Sequence, residues 1–428
     1  MKIAYVSLGC PKNEVDLEIV LGRLAGEVEV VDDVKSADAV VLNTCAFIES
    51  AREESLEAFF ELARHKQTHP GLRILMTGCM PQRYPKELAA ALHEADALFP
   101  DRDAEVTAGR IRAFLGLPQD GQAGRFRISP RHYAYLRIAD GCDNRCSYCA
   151  IPLIKGNYRS RPFEDIVDEA QRLVSGGVRE LILVAQDTSF YGREALGNKT
   201  LPDLLPALNG IPDLQWIRLL YTHPAHWNQV LIDTVAGLEK VVKTIDLPLQ
   251  HISKRILRRM GRRVTPEQIR DLLGRLREGI PGLALRTSLI VGFPGESEGE
   301  FSELLRFVDE ARFERLGVFT YSHEQGTRAW SLADDVTAGT KSERQQEIQS
   351  LQDELSLERN RRLIGSIVQV MVDGYLDDED AAAGRTAWDA PEIDGVVRID
   401  SEVRTGRIYP VRIIDADDHQ LYGRLRDE

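Results

Sequence analysis

The sequence predicts a multidomain α/β protein in three parts. A parallel α/β domain is expected over 1–116, a partial (β/α)6 barrel with a trailing helix over 131–358, and a small antiparallel β-barrel over 361–428. Three observations carry this reading. Short β-branched runs alternate with helical seams through most of the chain, the order that builds parallel sheets covered by helices. The last stretch consists of short strand-like segments separated by turn residues. Between the first two parts, residues 117–130 are rich in Gly and Pro and lack apolar periodicity, so they read as a linker.

In the first part, Lys2–Leu8, Ala39–Asn43 and Arg73–Thr77 are the strand candidates. Between them, Leu17, Val20, Leu21 and Leu24 form one helical seam, and Leu56 to Leu62 carry another. Cys10, Cys45 and Cys79 each follow one of the three strands. The carboxyl ends of the strands in an open parallel sheet share one rim, where ligands bind. Three thiols distant in sequence would therefore converge on a second metal cluster. The competing reading is three small buried residues, a common fate for cysteine.

Strand candidates in the second part are Tyr133–Ile138, Glu180–Ala185, Trp216–Tyr221, Thr244–Leu249, Leu283–Val291 and Leu316–Tyr321. Ile166, Ala170, Leu173 and Val174 line one intervening helix, ended by Gly176-Gly177. Capping boxes open others at Thr265/Gln268 and Ser297/Glu300, and a third is expected at Thr340/Glu343 for the trailing helix. Repeated strand-helix units without reversal indicate a barrel, whose chemistry sits at the carboxyl ends of the strands. There fall Gln186-Asp187-Thr188, Gln250-His251 and the turn Gly292-Phe293-Pro294-Gly295-Glu296. His251 alone would equally suit a structural hydrogen bond, and the turn could be only a turn.

After the first barrel strand comes Cys142-Asp143-Asn144-Arg145-Cys146-Ser147-Tyr148-Cys149, spaced C-x3-C-x2-C. It offers three thiolates where an iron-sulfur cube normally takes four. An open position marks a reactive centre rather than a structural one. A zinc site completed by His132 is the alternative, although no second C-x2-C half follows.

The last part has strand candidates Ile367–Val372, Gly395–Ile399, Ile408–Ile414 and Gln420–Arg424. From Leu363 onward fifteen Asp or Glu face seven Arg and no Lys, a balance that repels phosphate and attracts a basic partner. The same acidity could simply keep the module in solution. The whole chain carries a net charge of −13, which argues against a large non-specific nucleic-acid surface. Six cysteines in 428 residues are no secreted disulfide scaffold, no apolar run is long enough to span a membrane, and Ser7-Leu8-Gly9-Cys10 has too short a leader for a signal peptide. A cytoplasmic protein with reduced thiols is expected.

These features resemble the radical S-adenosylmethionine superfamily and, within it, the methylthiotransferases. The resemblance covers essentially the whole chain: a three-cysteine N-terminal domain, a C-x3-C-x2-C core with an aromatic before the last Cys, and a terminal barrel of the TRAM type. Ser7-Leu8-Gly9-Cys10-Pro11-Lys12-Asn13, Leu249-Gln250-His251-Ile252-Ser253 and Gly317-Val318-Phe319-Thr320-Tyr321-Ser322 look like the branch that modifies an aspartate of small-subunit ribosomal protein twelve. The alternatives are the branch that modifies transfer RNA adenosine, and a non-catalytic cluster protein that binds the ribosome.

The resemblance implies two 4Fe-4S clusters and S-adenosylmethionine as cofactors. Cys142, Cys146 and Cys149 would hold the cluster that binds S-adenosylmethionine and cleaves it to a radical, which takes a hydrogen from the aspartate β-carbon. Cys10, Cys45 and Cys79 would hold the cluster that carries the sulfur to be methylated and inserted. Tyr148, Gln186, Gly292, Pro294, Gly295 and Glu296 are expected to line the cofactor site. The implied partners are the basic ribosomal protein and an electron donor, with no membrane and nucleic acid met only through the ribosome.

Overall fold

Apolar residues that alternate along one strand must face two cores, and Ala39–Thr44 shows this first. In the computed structural model, which describes residues 1–118, 124–195, 197–376 and 381–426, Val40 and Leu42 enter one core and Ala39 and Val41 the other. This strand is the centre of a five-stranded parallel sheet. Its strands are β1 (Lys2–Ser7), β2 (Glu29–Val30), β3 (Ala39–Thr44), β4 (Arg73–Gly78) and β5 (Ala97–Leu98), in the order β2-β1-β3-β4-β5. On one face lie the helices Pro11–Leu24 and Ala104–Leu115, through Leu17, Leu21, Ala108 and Ile111. Helix Glu49–Thr68 covers the other through Phe59, Leu62 and Ala63. The two edge strands have two residues each, too short to leave a periodic signal.

The chain divides into two compact units, and the division does not follow the three expected parts. Residues 140–158, including the C-x3-C-x2-C loop, and residues 324–327 group with residues 1–129. Packing explains why. Ala150 and Ile154, just after the loop, are fully buried in the same core as Cys79 and Met80. Glu324 is buried against Arg83 at 2.9 Å and also pairs with Arg52. Of the expected linker 117–130, residues 119–123 lie outside the described residues.

The second unit contains six parallel strands: β6 (Tyr133–Arg137), β7 (Glu180–Val184), β8 (Trp216–Leu219), β9 (Val241–Asp246), β10 (Ala284–Val291) and β11 (Arg315–Thr320). Each pairs only with its sequence neighbours, so the sheet is an open, partial barrel as expected. Thr265/Gln268 and Ser297/Glu300 form their capping boxes. Two expectations are corrected. Strand β9 lies three residues before the expected Thr244–Leu249, because Val241-Val242 extend it and Pro248 cannot donate to a ladder. The trailing helix, Ala338–Arg362, is capped by Thr337, whose hydroxyl accepts from Thr340 N–H, so Thr340 lies inside it.

The same unit ends in a closed barrel of β12 (Ile367–Tyr375), β13 (Ala382–Thr386), β14 (Val396–Ile399), β15 (Ile408–Ala416) and β16 (Gln420–Leu425), ordered β12-β13-β14-β16-β15. Four of its pairings are antiparallel, and β14 with β16 is parallel. Strand β13, Ala-Ala-Gly-Arg-Thr, escaped the sequence reading because its small residues resemble a loop. It matters. Arg385 on this strand reaches Glu180 of β7, a fully buried carboxylate that also pairs with Arg218 at 2.8 Å. Burial opposes the charge of Glu180, but the two guanidiniums outweigh it and hold the carboxyl below its usual range. Asp389 with Arg315, and Asp394 with Arg286 at 3.2 Å, repeat the arrangement.

These pairs also revise the electrostatic expectation. Asp373, Asp389 and Asp394 of the acidic module are spent on Arg385, Arg315 and Arg286. Asp377, Asp378, Glu379, Asp380, Asp427 and Glu428 lie outside the described residues. On the described surface, exposed Glu392, Asp400, Glu402 and Asp415 are matched by exposed Arg404, Arg407, Arg412, Arg424 and Arg426. That surface is balanced rather than acidic. Among the described residues, no helix is long and apolar enough to cross a membrane.

Candidate active site

Strands β1, β3 and β4 lie side by side, and Cys10, Cys45 and Cys79 follow their carboxyl ends. The backbone is shaped for this. Gly9 and Gly78, directly before Cys10 and Cys79, both have positive φ, at 96° and 91°. A Cβ on Gly9 would stand 3.2 Å from Cys45 Sγ, and one on Gly78 would stand 2.5 Å from Thr44 O. Glycine thus lets the three loops close on one another. Asn13 joins them: its Nδ2 donates to Leu8 O at 3.2 Å and Thr44 O at 2.9 Å, while its Oδ1 accepts from Cys79 Sγ at 3.3 Å. Asn43 Nδ2 in turn donates to Asn13 O at 2.7 Å.

The thiols sense one another. Burial raises Cys45, and the charge of Cys10 adds to it. Burial pushes Cys79 up to about 12, with Lys155 opposing and Cys10 and Cys45 reinforcing. Three convergent thiols, all free of disulfides, with no room for a side chain at the glycines between them, fit a cluster held by three protein ligands. Metal binding would also remove the cost of ionising them in an apolar place.

The C-x3-C-x2-C loop is held more locally. Cys142 N–H donates to Gly156 O at 3.1 Å, and Cys149 N–H to Cys146 O at 3.3 Å. Asp143 Oδ1 accepts from Tyr158 N–H at 3.2 Å. Arg145 takes a left-handed φ of 51°, turning the chain between the first two cysteines. All three thiols and Tyr148 are half-buried, in contrast to Cys45 and Cys79. His132, the proposed fourth ligand of a zinc site, belongs to the other unit, where its Nε2 pairs with Asp373 at 2.7 Å.

Lys155 was not singled out from sequence. It is buried six residues after Cys149, and its ammonium lies 2.9 Å from Asp16 of helix Pro11–Leu24, the helix that Cys10 opens. Burial opposes its charge, but Asp16 and Asp140 raise its pKa above the ordinary lysine value. A cation therefore stands beside Cys79, fixed between the two cysteine-bearing segments.

In the barrel unit, Gln186 follows β7 half-buried, and its Oε1 is buried with no hydrogen-bond partner. An orphaned acceptor at the rim suits a ligand that donates to it. The turn after β10 is built from within. Gly292 N–H donates to Glu296 Oε2 at 3.0 Å, and Arg344 donates to Glu296 Oε1 at 2.7 Å. Gly295 N–H donates to Asp335 at 2.5 Å. Both oxygens of Glu296 are thus committed to the turn, while Gly292 and Pro294 are buried and Gly295 half-buried. His251 accepts from Ser253 N–H through Nδ1 at 2.9 Å, which leaves Nε2 as the ring's donor nitrogen. That nitrogen is buried, 3.5 Å from Glu296 Oε2 and without a hydrogen bond.

Comparison with known proteins agrees with this anatomy. Residues 136–308 match the Radical SAM superfamily, 2–100 the uncharacterized protein family UPF0004, and 364–425 the TRAM domain. The ribosomal protein uS12 methylthiotransferase RimO of Geobacter sulfurreducens is 46% identical over 439 residues, spanning 99% of this chain and 98% of that protein. The protein of the same name from Trichlorobacter lovleyi is 45% identical, spanning 100% and 98%. Among solved structures, the radical S-adenosylmethionine methyltransferase TsrM from Kitasatospora setae shares the fold at a TM-score of 0.54 and 16% identity, covering 74% of this chain and 72% of that one. The cobalamin-dependent radical enzyme OxsB does so at 0.53 and 12%, covering 82% and 56%. Full-length identity, the three matched regions and the two cysteine sets lead to one conclusion: the chain belongs to the RimO family of radical S-adenosylmethionine methylthiotransferases, which use 4Fe-4S clusters.

Proposed function

We propose that this protein inserts a methylthio group at the β-carbon of an aspartate in ribosomal protein uS12, in the cytoplasm where ribosomes are made. The observation that carries the reading is the convergence of Cys10, Cys45 and Cys79 at three adjacent strand ends, tied by Asn13. A radical enzyme that only cleaved its cofactor would have no use for a second three-thiol pocket. The near-complete coverage of uS12 methylthiotransferases supports the choice of substrate over transfer RNA.

When bound, the two clusters and S-adenosylmethionine supply the radical that opens the β-carbon and the methylated sulfur that closes it. The chain's residues prepare for this in named ways. Cys142, Cys146 and Cys149 would hold one cluster, and Cys10, Cys45 and Cys79 the other. Gln186 would accept a hydrogen bond from the cofactor, and Tyr148 would lie against it. Gly292, Pro294 and Gly295 would form a wall whose shape Glu296 and Arg344 fix. Burial of Cys45 and Cys79 would help keep water from the cluster they hold.

The test is reconstituted holoenzyme under strong reductant, offered uS12 and bulk transfer RNA together. Mass spectrometry is expected to find the methylthio group on a uS12 aspartate. Its appearance on tRNA adenosine, or intact S-adenosylmethionine, would overturn the proposal.

A further inference from the structure

Along the outer edge of the six-stranded sheet, lined by β11, helix Ala338–Arg362 and the small barrel, lies a cavity of about 450 Å³, within the range of ligand sites. Nothing in the proposed chemistry uses it. Strand β11 is the edge strand of the sheet, and Arg315, Gly317 and Phe319 share one of its faces. Phe319 is the fifth of its six residues, so the cavity starts near the carboxyl-end rim and runs back along the strand to Arg315. A Cβ on Gly317 would stand 3.2 Å from the Phe319 ring, so glycine lets that ring lie back along the strand, 55% exposed. Exposed Ile393 and Val396 extend the apolar wall. Exposed apolar side chains gathered at one cavity, rather than scattered, mark an interaction site.

The polar lining is short of positive charge. Arg286 is held between Asp246 at 2.9 Å and Asp394 at 3.2 Å, and Arg315 pairs with Asp389, so two cations meet three carboxylates and neither cation is free. On the facing helix, Asp353 Oδ1 accepts from Gln349 Nε2 at 2.7 Å, a neutral partner. Asp418, in the turn between β15 and β16, pairs with no Lys or Arg among the described residues; its neighbour is His419 at 3.8 Å, beyond hydrogen-bond reach. One oxygen from each of these carboxylates and a His419 ring nitrogen lie within 4.8 Å of one another. The same lining includes Gln352, only 3% exposed. Its Nε2 donates to Phe313 O at 3.0 Å, and a carbonyl can only accept, so the amide orientation is fixed and Oε1 is the buried atom left without a partner. Two carboxylates without a cation and an orphaned acceptor suit a cation rich in N–H donors.

We propose that this cavity is a docking site for an arginine side chain of the basic protein that this enzyme modifies. The identity of that protein rests on the proposed function; the cation chemistry of the cavity does not. A planar guanidinium offers five N–H donors to the carboxylates and the Gln352 oxygen, and a flat face to the Phe319 ring. A divalent ion could use Asp353, Asp418 and His419 but would leave the aromatic and apolar wall without a role. Elsewhere the described surface of the small barrel is balanced, so the acid excess is local and can select one side chain. The cavity flanks the edge of the sheet rather than the reacting groups, so it sets how tightly the partner is held and not the rate of the chemistry.

The test uses full-length holoenzyme with uS12, and N-acetyl-arginine methylamide as the isolated probe. Asp353→Asn combined with Asp418→Asn should weaken uS12 binding about 10-fold, raise KM more than it changes kcat, and flatten the fall of affinity with added salt. Phe319→Ala, at an exposed position, should weaken binding about 3-fold. Iron and sulfide content serves as the folding control. Saturation-transfer NMR should show the arginine probe bound to wild type, its neutral citrulline analogue unbound, and the arginine signal lost in the double variant. Wild-type KM and salt dependence in well-folded variants overturn the inference. So does citrulline binding equal to that of arginine, or manganese(II) binding at these carboxylates with the arginine probe silent. If wild type leaves uS12 unmodified, the functional reading fails; the guanidinium site then stands or falls on whether the arginine probe binds and the double variant abolishes it.

Discussion

The two cysteine sets hold the same number of thiols and are built in opposite ways. Cys142, Cys146 and Cys149 lie in one eight-residue loop, half-buried, shaped by Arg145 and local backbone hydrogen bonds. Cys10, Cys45 and Cys79 come from three loops up to 69 residues apart in the chain, with two of the three thiols buried. The first set can form wherever the loop forms. The second exists only when β1, β3 and β4 are in register and Asn13 joins their ends. The loop set is local chemistry placed on a fold; the N-terminal set is made by the fold.

Cys146→Ala breaks the comparison most severely. It should abolish cleavage of S-adenosylmethionine and remove about half the iron, leaving the N-terminal set loaded; reductive cleavage and metal analysis measure both. Cys45→Ala should stop methylthio transfer while cofactor cleavage continues. If transfer survives, the second cluster is wrong. Lys155→Met removes the buried ion pair with Asp16, at about 3–5 kcal/mol. Because Lys155 also stands beside Cys79, the loss should appear in chemical denaturation and in the redox potential of the N-terminal centre more than in that of the loop centre. Asn13→Ala should cost about 1–3 kcal/mol for the carbonyls it leaves unsatisfied. It should make N-terminal iron labile to chelators while the loop iron is retained.

A smaller effect contrasts both sets with the terminal barrel. The folded pKa of Glu180 is depressed, so the unfolded chain takes up a proton at higher pH than the folded one. Its stabilisation is present above about pH 4.3 and is lost as pH falls towards the folded value. Glu180→Gln should flatten the acid limb of the stability profile, as urea titrations across pH would report.

Legibility followed the same divide. The loop cysteines could be read directly from spacing, and the N-terminal trio from its place after three strand candidates. The six barrel strands were found because each is an apolar run with its own turn signals. Asn13 and Lys155 escaped because their partners, Thr44 and Asp16, lie 31 and 139 residues away. Strand β13 and the short edges β2 and β5 escaped because small residues and brevity erase periodicity. The acidic count from Leu363 onward was correct as arithmetic and incomplete as a surface, because Asp373, Asp389 and Asp394 face arginines inside the unit. Glu296 follows its barrel strand, and both its oxygens serve the turn, which spacing alone does not reveal.

Glu180, gripped by Arg218 from the neighbouring strand and Arg385 from the terminal module, works as a keystone. Lifting the small barrel away would leave Glu180 with one guanidinium where it now has two, so the two barrels hold as one body. A partner seated on the small barrel would therefore be held at a fixed angle to the six-stranded sheet.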